Sequence, residues 1–217
     1  FGEEHFKKKK QNITKHAKDV VDYTKKSIGY SLHHHVIFWL MLSSILMIAI
    51  YFFSGSFTWF PFLESLGFKQ HWFGYLSSAI FSLCIFAPYF SRPLLKKAKS
   101  HKNFFLIIIS VMFFSLFLVE FTTSLIVLVI LLGIFWLASN FFIPIRDNYF
   151  QMFVPKRIRA TVGSVKGLLS SLTLVVIAPV VGFVADKIGL QKTIFIASFI
   201  ILLTMLLYYR IDEKRVL

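Results

Sequence analysis

The chain alternates six long apolar runs with short polar segments. A helix needs about 20 apolar residues to cross the hydrocarbon core of a bilayer, and in lipid every backbone polar group must be bonded within the segment. Each run therefore predicts a transmembrane helix, and the predicted fold class is an all-α polytopic membrane protein. The predicted spans cover about 36–63, 72–91, 103–119, 124–143, 160–185 and 191–209.

Glycine and proline interrupt this pattern at four places. The first run is too long for a straight crossing, and Gly55 and Pro61 lie in its second half, so we expect that span to be tilted or broken there. Pro88 lies near the end of the second span. Pro144 follows the fourth span, beyond which helix can continue to Met152 as an amphipathic end.

Polar segments flank the six runs. Residues 1–35 include four consecutive lysines, Lys7 to Lys10, and carry apolar residues at helical spacing between Ile13 and Ile28. That spacing is typical of an amphipathic helix lying on a membrane surface, although a solvated basic linker fits the composition equally well. Residues 210–217 form a short polar tail.

Lysine and arginine residues fall on alternate sides of the six runs. If the chain crosses a membrane six times, 21 of its 24 Lys and Arg residues lie on one side and 3 on the other. Short loops rich in Lys and Arg remain cytoplasmic. The pattern predicts a multi-pass protein of the cell inner or plasma membrane, with both ends in the cytoplasm.

The overall composition agrees with a membrane protein. Apolar residues make up 57% of the chain, compared with about 45–50% in soluble domains. A net charge of +14 also suits nucleic-acid binding, but the cations lie on one side of the apolar runs and no base-stacking or groove-reading motif accompanies them. The expected partner is the lipid bilayer, with its anionic headgroups, and no nucleic acid.

The apolar runs carry little catalytic chemistry. No Asp, Glu, Lys or Arg lies in the middle of a predicted span, whereas such residues usually mark proton or ion sites. The chain contains no H-E-x-x-H or G-x-S-x-G motif and no phosphate-binding glycine loop. His33, His34 and His35 are consecutive, so on a helix they point about 100° apart and do not converge on a metal. We expect no metal, no cofactor and no enzymatic activity.

Aromatic and small residues suggest where the helices meet water and each other. Trp59 and Trp72 are predicted as anchors at the outer membrane interface, and Tyr208 and Tyr209 at the inner one. The fifth span carries small residues at positions that allow close helix packing, either static or at a surface where helices slide. These helix-packing candidates are Gly163, Gly167, Ser171 and Gly182.

The densest motif lies between residues 144 and 189. It reads Pro144-x-Arg146-x-x-Tyr149, then Pro155-x-x-x-Arg159-Ala160-Thr161, and then Pro179-x-x-Gly182-x-x-x-Asp186-x-x-Gly189. This order and spacing resemble the tenth to twelfth helices of major facilitator superfamily (MFS) transporters. Residues 57–78 look like the junction between that family's seventh and eighth helices. The loop after the second span departs from the family's G-x-x-x-D-R-x-G pattern, since it keeps Arg92 but lacks the acid.

The resemblance implies that the six spans form the C-terminal half of an MFS-type bundle and that residues 1–35 match the long central cytoplasmic loop. The implied function is secondary active transport of a small solute by alternating access, as an efflux or uptake permease, around a midplane site. The implied partners are a small-molecule substrate and an N-terminal half of the same chain. A channel-like or scaffolding module, or an integral membrane enzyme, remains the alternative.

Two groups of residues are candidates for function on this reading. The substrate-cavity candidates are polar or aromatic residues in the central parts of the cavity-facing spans: Trp136, Asn140, Ser139, Tyr51, Ser78, Ser171 and Thr173. The inner-gate candidates are charged residues at the inner edge: Arg146, Asp147 and Arg159. Contact of these three with lipid headgroups is the simpler alternative to a gate.

Overall fold

The computed structural model describes residues 29–30 and 33–211. All regular secondary structure in this part of the chain is helical. The α-helices are α1 (His35–Phe53), α2 (Ser56–Ser65), α3 (Gln70–Ile85), α4 (Ala87–Ala98), α5 (His101–Phe117), α6 (Leu125–Phe153), α7 (Arg159–Ile188) and α8 (Leu190–Arg210). Short 3₁₀ turns at Leu118–Phe121 and Lys156–Ile158 extend the end of α5 and the start of α7. The amphipathic helix expected before residue 29 lies outside the described residues, as does most of the tail.

The helices are those of a membrane-embedded protein. Five stretches are long and apolar enough to cross a bilayer: His35–Ser65, His101–Phe121, Leu125–Phe153, Lys156–Ile188 and Leu190–Arg210. The pair Gln70–Ile85 and Tyr89–Ala98 passes the same test together but is bent by 60°. The described chain therefore holds five such spans, or six if the bent pair is one span.

Proline explains one difference from the expected boundaries. The second span was expected as one helix over 72–91. The structure has two helices, α3 and α4, and Pro88, which has no backbone N–H, lies at the bend between them. At Pro144 the helix does not end, since α6 continues through it to Phe153, one residue beyond the expected Met152. Membrane helices tolerate an internal proline because neighbouring groups satisfy the freed carbonyl.

The first span is broken between α1 and α2. Two buried hydroxyls bond carbonyls around the break: Ser54 Oγ donates to the carbonyl of Ile50 at 2.7 Å, and Thr58 Oγ1 lies 3.0 Å from the carbonyls of Phe53 and Gly55. A Cβ atom on Gly55 would lie 2.1 Å from the carbonyl oxygen of Tyr51. The break therefore requires glycine at this position and is satisfied internally, as lipid demands.

Contacts between helix ends define one end of the bundle. His101 stacks on Tyr149 with ring centroids 4.7 Å apart, and Arg210 lies 5.8 Å from the ring of Trp39. The start of α1, the start of α5 and the ends of α6 and α8 thus lie together. We call this the basic end, and the end at which α6 and α8 begin the opposite end. Tyr30 joins the basic end by donating from its hydroxyl to the carbonyl of Phe153 at 3.1 Å.

The helix packing has an internal symmetry. α5 and α8 pack together at the centre; α1 packs on α8 and α7, and α6 packs on α5 and on the α3–α4 pair. Exchanging α1 with α6, the α3–α4 pair with α7, and α5 with α8 leaves these contacts unchanged. Because α1 starts at the basic end and α6 at the opposite end, the two units, α1 to α5 and α6 to α8, run in inverted directions; each is a three-span unit if the bent α3–α4 pair is one span.

Candidate functional site

An aromatic cluster occupies the middle of the bundle, where α1, α2 and α6 meet. Tyr51 and Trp136 stack with their rings 6.0 Å apart and 17° from parallel. The ring of Trp59 lies 6.4 Å from that of Trp136. Tyr51 comes 16 residues after His35, about 24 Å along the helix, so in a bilayer core about 30 Å thick it lies in the half nearer the opposite end.

All three residues carry a buried polar atom without a hydrogen-bond partner among the described residues. These atoms are the hydroxyl of Tyr51 and the Nε1 atoms of Trp59 and Trp136. Ser139 lies next to the Tyr51 hydroxyl, and its oxygen can accept from Tyr51 while its own hydroxyl donates to the carbonyl of Phe135 at 2.8 Å. An unpaired buried donor costs about 1–3 kcal/mol. The two unpaired indole N–H groups in one cluster, of Trp59 and Trp136, are unusual for a region whose only role is packing.

A cleft of about 220 Å³ opens beside this cluster. We call it the aromatic cleft; its walls are Trp59, Phe60, Ser77, Ile80, Phe81 and Trp136. The lining residues come from α2 and α3 of the first three-span unit and from α6 of the second. Trp59 is only 3% exposed. The cleft thus lies where the two inverted units meet, beside the broken first span.

The other expected cavity residues are dispersed. Asn140 lies one turn beyond Trp136 and donates from its amide to the Trp136 carbonyl at 2.9 Å. Thr173 donates to the carbonyl of Leu169 at 2.7 Å. Ser78 and Ser171 are exposed on the bundle surface. Of the seven cavity candidates, the structure brings together only Tyr51, Trp136, Ser139 and Asn140, and of these Trp136 alone lines the aromatic cleft.

A cluster of three charges lies nearer the basic end. Asp147 Oδ1 is 2.9 Å from Arg146 Nη2 and 2.9 Å from Lys166 Nζ. The side chain of Arg146 is 11% exposed, that of Lys166 21% and that of Asp147 46%. Arg146 also lies over the ring of Phe142, and Lys166 over the ring of Phe150, at 5.7 and 4.9 Å. One carboxylate thus ties α6 to α7, and the cluster keeps a net charge of +1.

Neither a protein-family model nor a curated protein matches this chain.

Arg159, the third expected gate residue, is not part of the charge cluster. Its Nη2 donates to the carbonyls of Gln151 and Val154, at 3.1 and 3.4 Å. These are among the carbonyls that lose their helical donors where α6 ends. Arg159 therefore caps α6 from the start of α7. Its place beside Asp147 is taken by Lys166, which was not among the expected gate residues.

The small residues of α7 face open space within the described chain. A Cβ atom added to Gly163, Gly167 or Gly182 would meet nothing within 4 Å, and Ser171 is exposed. The surface expected to pack closely against another helix therefore has no neighbour in this part of the chain. Close packing of this surface against another helix remains a prediction.

Two predicted interface anchors lie inside the bundle instead. Trp59, on α2, is 3% exposed and lines the aromatic cleft. Tyr208 is 1% exposed; it packs 4.8 Å from the ring of Phe105 and accepts a hydrogen bond from Ser43 Oγ at 3.2 Å. Depth along a helix could be read from the sequence, but the direction in which the ring faces could not.

Proposed function

We propose that this protein is a secondary active transporter that moves a small solute across the membrane by alternating access, and that it is related to MFS transporters. The observation that carries the proposal is the pair of inverted three-span units. Halves of MFS transporters are built from such inverted repeats, and transporter sites lie at repeat interfaces, beside discontinuous helices. The aromatic cleft lies between the two inverted units and beside the break in the first span.

The exposure of α3 and α7 supports a second six-helix unit as partner, which we propose to be an N-terminal half of the same chain. No residue of α3 is buried, and only Val162 and Val181 of α7 are. The apolar exposed face of α7 includes Leu168, Leu172, Val175, Val176 and Phe183. A single-unit protein exposes these faces to lipid, whereas the proposed partner half packs on them across the solute pathway.

The charge distribution supports the orientation. The basic end of the described bundle carries Lys96, Lys97, Arg157, Arg159 and Arg210. Basic ends face the cytoplasm, so we propose that both ends of the chain are cytoplasmic and that the membrane is the cell inner or plasma membrane. The Arg146–Asp147–Lys166 cluster then lies on the cytoplasmic side of the aromatic cleft, where closure of the pathway would act on it.

Cysteine labelling tests the proposal. Cys84 is the only native cysteine, so Ser77→Cys in a Cys84→Ser background gives one thiol in the cleft. Sealed vesicles of both orientations are treated with a membrane-impermeant maleimide. A transporter is labelled from both faces and gives no ionic current in planar bilayers. Labelling from one face, or from neither, overturns the proposal in favour of a scaffold; labelling from both faces with current overturns it in favour of a channel.

Ser198→Cys is the matched control. Ser198 is also on a predicted span, but it is fully buried in the core of the bundle. We expect it to remain unlabelled from both faces unless the protein is denatured. Labelling of this position at the rate of Ser77→Cys would mean that the vesicles leak or the protein has unfolded.

A further inference from the structure

The unpaired donors beside the aromatic cleft carry information about its occupant. Trp Nε1–H can only donate a hydrogen bond, and two such groups, at Trp59 and Trp136, belong to residues that line the cleft. A ligand that brings acceptors removes the cost of leaving them unpaired, whereas a purely apolar ligand leaves that cost in place. The polar chemistry of the cleft thus favours a ligand with acceptors.

The walls of the cleft restrict the shape of the ligand. Phe60, Phe81 and the two tryptophans present aromatic surface, which prefers stacked or edge-to-face contact with another ring. The volume of about 220 Å³ is below the usual range for drug-sized ligands, while a cavity of about 150 Å³ holds benzene. The cleft therefore fits one small planar solute of one or two rings.

The surrounding charge argues against a cation. Aromatic residues around a cavity can bind quaternary ammonium groups, so shape alone allows that reading. However, Arg146 is close enough to the Tyr51 hydroxyl to interact with it electrostatically, and its cluster has a net positive charge. The only carboxylate in that cluster, Asp147, is already bonded to two cations.

We propose that the aromatic cleft binds a small planar solute, uncharged and bearing oxygen or nitrogen acceptors, and that Trp59 and Trp136 donate to those acceptors through Nε1–H. Because both N–H groups are shielded in the empty cleft, the rings rotate toward the ligand as it enters. The inference rests on the proposed function, since it takes the cleft to be the solute site. It adds the class of solute and the two residues that select it.

Three bicyclic probes of nearly equal size test the proposal: quinoxaline, which has two ring-nitrogen acceptors; naphthalene, which has none; and N-methylquinolinium, which is cationic. Trp39→Phe and Trp72→Phe together leave Trp59 and Trp136 as the fluorescent residues. Binding to the full chain in detergent micelles is followed by tryptophan fluorescence lifetime, with empty micelles as the partition control. We expect quinoxaline to bind at least tenfold more tightly than either of the other probes.

The variants separate hydrogen bonding from packing. Trp59→Phe and Trp136→Phe each keep a reporter, the other tryptophan, and each is expected to weaken quinoxaline binding about tenfold while changing naphthalene binding less than twofold. Naphthalene binding equal to quinoxaline, tightest binding by N-methylquinolinium, binding of none of the probes, or unchanged quinoxaline binding in both variants would each overturn the inference. Because two variants are used, failure of one to fold does not remove the test.

The labelling and binding experiments test the transport proposal and the ligand-class proposal separately. If quinoxaline binds as expected but Ser77→Cys is labelled from a single face, the ligand class holds and the transport proposal fails. If Ser77→Cys is labelled from both faces but quinoxaline binds no more tightly than naphthalene, the transport proposal holds and the proposed ligand class fails.

Discussion

Replacing Asp147 with asparagine removes the charge that holds two cations together while keeping an acceptor oxygen of the same shape. In the native protein Arg146 Nη2 and Lys166 Nζ are each 2.9 Å from the same Asp147 oxygen. The two nitrogens are therefore at most about 5.8 Å apart, and at an effective dielectric constant of about 20 their repulsion is about 3 kcal/mol.

Solvent reduces the expected loss. Breaking a fully buried ion pair costs about 3–5 kcal/mol, but the Asp147 side chain is 46% exposed, and exposed pairs contribute much less. We expect Asp147→Asn to lower the free energy of unfolding by about 1–3 kcal/mol. For a chain of this size that corresponds to a fall in Tm of roughly 3–10 °C.

Thermal unfolding in detergent micelles, followed by circular dichroism, measures the effect. The second variant, Asp147→Asn with Lys166→Met, removes the repelled cation and leaves its aliphatic stem. Because the repulsion is gone, we expect it to regain at least half of the lost Tm. An unchanged Tm in the single variant, or a lower Tm in the double variant than in the single one, would refute the electrostatic reasoning.

Three further predictions follow from single contacts. Ser77→Ala should change quinoxaline binding, measured by fluorescence lifetime, because Ser77 lines the aromatic cleft, whereas Ser78→Ala should not. Equal effects of the two variants would mean that the ligand does not bind in the aromatic cleft. Gly55→Ala should lower Tm because its Cβ would clash with a backbone carbonyl at 2.1 Å. The control Gly133→Ala, in open space on α6, should be neutral or raise stability by up to about 1 kcal/mol. An unchanged Tm for Gly55→Ala would mean that the break does not require glycine. Arg159→Ala should lower the free energy of unfolding by about 1–2 kcal/mol through lost capping bonds. In a double-mutant cycle its effect and that of Asp147→Asn should be additive. Strong coupling between the two would instead place Arg159 with the charge cluster.

The sequence predicted where the long apolar helices lie along the chain far better than the direction in which their side chains face. In water, the buried face of a helix is read from the alternation of apolar and polar residues. In lipid, the face toward a neighbouring helix and the face toward the bilayer are both apolar. Ser78 was therefore named as a cavity candidate, although it is the neighbouring Ser77 that lines the cleft. Tyr208 was assigned to the interface for the same reason.

The sequence also did not show which residues far apart along the chain contact each other. Lys166 and Asp147 are 19 residues apart on two helices, so no local spacing joins them; only the tertiary structure decides that Lys166, rather than Arg159, reaches the carboxylate. The helix break at Gly55 was expected from its glycine and the following Pro61. What could not be foreseen is that Trp59, beyond the break, is buried beside Trp136, since that depends on how α2 packs in the bundle.

The break between α1 and α2 lies between two residues of the aromatic cluster. Binding of the proposed solute in the aromatic cleft and the angle between these helices would therefore depend on each other. Tyr51 lies four residues before Gly55 and Trp59 four residues after it, and Trp136 contacts both rings. If the proposed solute binds by separating Trp59 from Trp136, it also changes the tilt of α2, so a change in tilt must alter the solute's affinity by the same coupling free energy. On that proposal, binding in the cleft and the position of α2 at the membrane surface are coupled.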